Sequence, residues 1–434
     1  MADNILSTWA PFLFELQGKV QEVFPTEAPF LAELSGVGDP NTVGRFTRDM
    51  DGGRDIFSGS NVRHTVVPIN LQGGGYIAET QTWNRPIVLS SNKVIINLVR
   101  ALVPFSMSVD VERDSYDNSN AAIVVSMVRE ARISLARMEN LALVGDGTGV
   151  VATVPNATGS PGLVVTVSAG TNFDVLLPGT VWDIVTVSTG VPTTGGKRRK
   201  IASVQEAALT VTFDTAQQAS DGDSGAITFA ATSGIAIPGS ASTPALAGTL
   251  TAQGLEQAAA ITGTFESIDK AAVPQWQGTD GRGGDTSTLA LSQPMLDGAV
   301  RRGRRAAIGT WDFALGDPAA IDLYKQGLYA QVRYDPQQLM MKSGFSGIAY
   351  DGADKPFPLV KEPAHKKGAL KLIDKKSFQL YGDQKGPAFL EDDGSMFRRF
   401  NPTLIKEADL LDRFQLGVVK CNTIVFLNNL SSAA

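Results

Sequence analysis

DNSNAAIVVSMVREARISLARMENLALVGDGTG, residues 117–149, contains a capping run, one long helix and a glycine-rich stop. Asn118 or Ser119 can accept from the first free backbone N–H groups, and Gly145 and Gly147 supply positions beyond the helix where φ can be positive. At about 100° per residue, Val124, Val128, Ala131, Leu135, Met138 and Ala142 share an arc roughly a quarter of the circumference wide. Arg129, Glu130, Arg132 and Arg137 fall on the opposite side. The pattern predicts an amphipathic strut from Asn118 to Val144, laid over a sheet and carrying no catalytic group.

Composition narrows what such a strut can serve. Among 434 residues the net charge is −6 and only 19% are charged, which argues against a disordered chain and against a basic nucleic-acid binder. Two histidines leave few groups that exchange protons near neutral pH, so the chain leans away from enzyme chemistry. The sole cysteine, Cys421, lies in the apolar run VVKCNTIVF and reads as a buried small hydrophobe, in keeping with a reducing compartment. Asp3 stands where a secretory leader carries positive charge, and no segment approaches the roughly 20 apolar residues of a membrane span. Neither secretion by that route nor membrane insertion is expected.

On the N-terminal side of the strut, Trp9, Phe12, Leu13, Leu16 and Val20 recur at helical spacing, and an extended arm with Pro25, Pro29, Gly36, Gly38 and Pro40 follows. β-rich runs at 63–69 and 87–111 flank NLQGGGYIAETQTWNRP and predict a long hairpin with a projecting glycine-rich loop; the second run is long enough for two strands or one bent strand. On the other side, Val150 to Ile237 alternates Val, Thr and Ile with glycine turns, which predicts a small all-β barrel or sandwich. Its two ends should lie close together if it interrupts a host loop. Helices are predicted in LTAQGLEQAAAI, capped by Thr251, in SQPMLDGAVRRGRRAA, and in DPAAIDLYKQGL, where Asp317 caps and Pro318 takes the first helical position. VPQWQGTDGRGGD reads as a loop, and WDFALG and the segments after the last helix read as β with turns. The fold class is α+β.

Motifs with chemistry are scarce. VPTTGGKRRK fails as a phosphate loop because Val191 replaces the first glycine and Arg198 the hydroxyl residue. Its Lys197, Arg198, Arg199 and Lys200 form a basic turn that either touches a polyanion or serves as a solvated or intersubunit patch. His64 and His365 lack metal spacing, no Gly-x-Ser-x-Gly elbow is present, and the acidic pairs in SDGDSG and LEDDGS are too short for a calcium loop. Arg301, Arg302, Arg304 and Arg305 cover nearly half the circumference of one helix, and the acidic balance of the chain favours carboxylates of neighbouring subunits over a polyanion as their partners. No catalytic residue, metal or cofactor is expected.

In this order the segments resemble a tailed-bacteriophage major capsid protein of the Hong Kong ninety-seven fold. The resemblance is carried best by Glu139 to Gly149, by GTWDFALGDPAAIDLYKQ at 309–326, and by Gly347 to Tyr381. It implies an N-terminal arm at 1–60, an E-loop hairpin at 61–104, and a P-domain strand and spine helix at 105–149. It further implies an A-domain at 238–369 and return strands of the P- and A-domains at 370–434. The β-rich unit at 150–237 departs from the family pattern and resembles the inserted domains that some coats carry.

The implied function is self-assembly, as pentamers and hexamers, into an icosahedral shell enclosing double-stranded DNA. The shell would form in a bacterial cytoplasm and persist in the virion, its inner surface near the DNA without specific contacts. Trp83 and Arg85 of the hairpin would join the arginine helix as intersubunit contacts. No long charged coiled segment precedes the arm, which implies a separate scaffolding protein beside a portal protein; decoration proteins are left open. Some relatives crosslink through a hairpin lysine, but nothing marks Lys93, the lysine near this hairpin, as reactive. An encapsulin-like shell packaging protein cargo is the main alternative, and a phage tail or adhesion protein the lesser one.

Overall fold

The computed structural model describes residues 28–35, 55–58, 61–66, 92–108, 121–155, 163–168, 170–187, 191–193, 195–214, 227, 233–240, 251–307, 309–330, 338–340, 346–351, 355–383, 387–390, 398–400 and 405–431. Within them the α-helices are α1 (Pro29–Leu34), α2 (Ala121–Val144), α3 (Leu255–Ala259), α4 (Gln293–Ala306) and α5 (Pro318–Ala330). The long helix therefore forms, and it ends at the glycine stop, where Gly147 and Gly149 take φ values of 81° and 73°. Residues 6–23 and the hairpin tip lie outside the described residues.

α2 packs on a five-stranded antiparallel sheet built from distant parts of the chain. Strand Val99–Ser108 pairs with Ile405–Val418 over ten positions, from Ser108↔Ile405 to Val99↔Phe414. Phe378–Gly382, Ala388–Phe389 and Arg398–Phe400 add to the same central strand. The base of the predicted hairpin is present as Asn61–Val66 paired with Asn92–Asn97, and Asp55–Ser58 extends it to three strands. Leu98 separates Asn92–Asn97 from Val99–Ser108, so the second β-rich run is two strands in two sheets.

Val128, Ala131, Leu135 and Ala142 are buried as the helical spacing predicts. On the back of the helix Arg129, Glu130 and Arg137 are exposed as the pattern predicts, but the rest of that side is not. Arg132 is only 6% exposed, and Ala136, Glu139, Asn140, Leu143 and Val144 are buried too, so the last third of α2 is enclosed nearly all round. The cause is that α1 and α3 pack against this end in addition to the sheet. Burial lowers the Arg132 guanidinium to about 10.

A seven-stranded mixed sheet forms the second layer, in the order Thr279–Asp280, Val425–Leu427, Leu370–Ile373, Phe313–Gly316, Phe357–Lys361, Ser346–Tyr350 and Gln338–Met340. Phe313–Gly316 and Val425–Leu427 read as unbroken apolar runs because both faces are covered, and Lys371 interrupts Leu370–Ile373 between them. Phe313 and Leu315 belong to one core with α2, whereas Ala314, Leu370 and Leu372 belong to the other, with residues of α4 and α5. Asp317 caps α5 as expected, its Oδ1 accepting from Ala319 N at 3.2 Å. The predicted cap at Thr251 is not made: Gly254 stands at the cap position of α3, and Thr251 Oγ1 donates to Gly147 O at 2.6 Å instead. VPQWQGTDGRGGD is more than a loop, since Thr279 pairs in parallel with Val425 and Trp276 is fully buried.

Between α2 and α3 a six-stranded unit runs in the order Val150–Val154, Ser233–Ala236, Val181–Thr186, Arg199–Gln205, Thr210–Phe213 and Val164–Thr166. Ser168 N donates to Thr153 O at 2.8 Å just past the last strand, which joins the two outer strands and closes the unit as a small barrel. Val165, Trp182, Ile184, Ile201, Phe213 and Ile235 fill it. Ile237 N donates to Gly149 O at 2.9 Å, so the two ends of the barrel meet at the stop of the long helix.

Candidate functional site

The four arginines of α4 are all exposed, opposite a buried face of Leu296, Ala299, Val300 and Gly303. Gly303 lets this face lie flat, since a Cβ there would meet the Trp311 ring at 2.4 Å. Arg302 Nη1 donates to Gly281 O, and Arg301 Nε donates to Asp297 O at 3.4 Å. The basic turn is arranged differently. Lys197 is exposed, Arg198 and Lys200 are half-buried, and Arg199 is wholly buried. Arg198 takes φ 51°, and its N–H donates to the buried Asp183 Oδ1 at 2.7 Å. The four charges of the turn are thus split between surface and interior. Trp83 and Arg85 lie outside the described residues, and Lys93 stands in its strand opposite Thr65.

The junction after α2 is a crowded crossing of backbones. Gly254 lies so close that a Cβ would fall 2.2 Å from Gly145 O and 2.6 Å from Ala142 O. Glu256 N donates to Gly145 O at 3.1 Å, so α3 begins on the last carbonyls of the long helix. Asp146 Oδ1 accepts from Thr148 N at 2.9 Å and turns the chain toward the barrel.

Beneath this crossing runs a buried polar seam that sequence reasoning did not find. Glu362, fully buried, accepts from Phe30 N of α1 at 3.2 Å through Oε2. Its Oε1 accepts from Asn140 Nδ2 at 2.9 Å and from Ala364 N at 3.1 Å. Burial pushes this carboxyl up to about 7, against the effect of its hydrogen bonds. Lys375 Nζ pairs with Glu33 Oε1 at 2.8 Å, and the Phe30 and Phe378 rings meet edge to face at 6.1 Å, so α1 is held at three points.

Three residues on, His365 is buried and neutral. Burial and the Lys371 ammonium lower it to about 3, and its Nε2 accepts from Lys371 Nζ at 3.0 Å while Nδ1 lies 3.2 Å from Lys366 O. Lys371 also pairs with Glu256 of α3. Burial raises Glu256, but the charge and hydrogen bond of Lys371 together with the neighbouring basic groups outweigh it and hold the carboxyl at about 2. On the barrel side, Asn172 Nδ2 donates to His365 O at 2.9 Å, and Lys367 pairs with Glu206 at 3.7 Å. One turn, Glu362 to Gly368, therefore ties together α1, the long helix, the barrel and the seven-stranded sheet.

A related buried contact lies nearby. Lys270 Nζ donates to the carbonyls of Gln257, Ala258 and Ala260 at 2.8, 2.6 and 2.8 Å, closing the end of α3. Glu266 is buried and accepts from Val418 N at 2.6 Å, and burial pushes it up to about 8. These groups fasten backbone to backbone. Among the described residues, no group of three or more His, Cys, Asp or Glu side chains is placed to hold a metal ion. No helix there is long and apolar enough to cross a membrane.

No family model and no curated protein matches the chain. Solved structures that are similar include the Cyanophage A-1(L) capsid asymmetric unit, at 12% identity and TM-score 0.49 over 93% of each chain. A structure from Mycobacterium phage Ogopogo is similar at 10% identity and TM-score 0.41, over 93% of this chain and 92% of that one. An encapsulin complex from Synechococcus elongatus is similar over 34% of this chain and 53% of its own, at 15% identity and TM-score 0.27.

Proposed function

We propose that this chain is the major coat protein of a tailed bacteriophage and assembles as pentamers and hexamers into an icosahedral shell around double-stranded DNA. The observation that carries the proposal is the placement of α2. A 24-residue helix is clamped over a sheet whose main pair, Val99–Ser108 with Ile405–Val418, joins the hairpin side of the chain to its return. A rigid spine of that kind, with an arm at one end and a separate two-helix layer beyond it, suits a subunit that meets several neighbours at once through individually modest contacts. The buried charged groups serve internal fastening, so the role is structural and no reaction is assigned.

In this proposal the exposed Arg301, Arg304 and Arg305 of α4 meet carboxylates of a neighbouring subunit, and Trp83 and Arg85 of the hairpin contact another. Residues 1–60, 61–104, 105–149, 150–237, 238–369 and 370–434 act as arm, hairpin, spine, inserted barrel, axial domain and return. A separate scaffolding protein and a portal protein complete assembly, with the shell forming in the bacterial cytoplasm. Negative-stain microscopy of the chain, alone and co-expressed with its neighbouring genes, tests this. Icosahedral shells that take up DNA are the expected result. Shells that take up only a protein cargo would favour an encapsulin-like compartment, and a persistent monomer under every condition would sink the coat assignment.

A further inference from the structure

Two ends of the molecule carry opposite charge, and the strand Ile405–Val418 separates them. At one end Arg301 and Arg305 of α4 are exposed, and the turn after the strand brings further cations beside them. Asn422 Nδ2 donates to Ala306 O at 3.4 Å, which sets that turn against the last turn of α4. Val419 N donates to Ser377 O at 2.8 Å, which sets Lys376 beside Lys420, and both lysines are exposed. The acids on these elements are engaged elsewhere. Glu33 is paired with Lys375, Asp297 accepts from Tyr350, and Asp374 is buried in its own turn, accepting from Lys376 N at 3.1 Å.

The other end of the strand is acidic. Leu390 N donates to Asp409 O at 2.9 Å and Arg398 is paired with Glu407, so the connection 391–397, which lies outside the described residues, starts and ends there. It opens with Glu391, Asp392 and Asp393, and Glu407 on the strand is exposed. Between residues 390 and 409 five carboxylates outnumber three cations, so Arg398, Arg399 and Lys406 offset only part of the charge. Asp409 and Val418 are nine residues apart on one strand, about 30 Å at 3.3 Å per residue. Asp393 stands three residues past Leu390 and reaches at most about 11 Å beyond it. Even with side chains extended, the acidic run cannot meet the cations at the far end of its own chain.

We propose that the acidic end of one copy, residues 391–393 with Glu407, docks on the basic end of a second copy, formed by Arg301, Arg305, Lys376 and Lys420. The contact is heterologous: each copy gives one end and receives the other, so it propagates into rings or chains rather than stopping at a pair. It rests on the intersubunit reading of α4 given above, names the carboxylates that meet the helix, and adds two lysines to its surface. Because these charges are exposed, the contact steers and orients subunits more than it holds them, and salt screens it.

Carbodiimide coupling, which joins amines to carboxylates in direct contact, tests this on full-length chain mixed in equal parts, unlabelled and isotopically labelled, before assembly. Mass spectrometry is expected to find Lys376 or Lys420 joined to residues 391–393 across a labelled and an unlabelled chain. The rate of assembly, followed by light scattering at low salt, gives a second reading. Lys376→Glu with Lys420→Glu, or Asp392→Lys with Asp393→Lys, is expected to slow it about tenfold, and all four changes in one chain to restore it. Shells that form without the mixed-label link, or a fourfold variant no faster than either pair, overturn this contact and leave the coat assignment standing. A chain that stays monomeric at every concentration overturns both. Should a variant lose its fold by circular dichroism, the mixed-label link in the wild-type chain decides.

Discussion

Lys371 illustrates how a single buried side chain holds several elements. It is 1% exposed in the strand Leu370–Ile373, yet it reaches Glu256 of α3 and His365 of the neighbouring turn. Lys371→Met leaves Glu256 without its cation, and a stability loss of about 3 kcal/mol or more is expected in chemical denaturation. The pH dependence gives a second check. Glu256 lies at about 2 when folded against its ordinary 4.5, so its stabilising contribution is complete above about pH 4.5 and is lost as pH falls toward 2. In Lys371→Met that acid limb should flatten. None of this was legible in KEPAHKKGALK, which the pattern marks only as part of a stretch of β with turns and which gives no sign that its charged groups are enclosed.

At the scale of elements, the long helix was legible because six apolar positions repeat at helical spacing and its stop carries glycines that the observed φ values require. What the pattern did not convey was how much of α2 is buried. Periodicity records the face turned to the sheet, whereas Arg132, Glu139 and Asn140 are covered by segments that arrive from elsewhere in the chain. The barrel between 150 and 237 was legible in its alternation and short turns, but its closure through Ser168 and Thr153 depends on a contact that no local pattern encodes. Because Gly149 and Ile237 are hydrogen-bonded at 2.9 Å, replacing the intervening residues with a short glycine linker is expected to leave the two main sheets folded. Circular dichroism and soluble yield check this; complete loss of soluble folded protein would make the barrel integral to the core.

For the molecule as a whole, the α+β class followed from segment order, while the pairing of the sheets did not. Val425–Leu427 lies between Thr279–Asp280 and Leu370–Ile373, and no feature of KCNTIVFLNN announces those neighbours. The proposed assembly contact is also a property of the whole surface. Replacing Arg301 and Arg305 together with glutamate is expected to abolish shells in sedimentation and microscopy while shifting the melting temperature by no more than a few degrees, because exposed charges contribute little to a subunit's own stability. Shells formed as readily by the charge-reversed chain would remove α4 from the interface.

The central position of the late strands has a consequence for how the molecule is made. Ile405–Val418 is the strand to which every other member of the five-stranded sheet pairs, and Val425–Leu427 fills an inner place in the seven-stranded sheet. During vectorial synthesis the five-stranded and seven-stranded sheets must therefore wait, with apolar strand edges open, until these two segments leave the ribosome. Until then the open edges are templates for pairing with other chains, and it is the docking of these two strands that closes them.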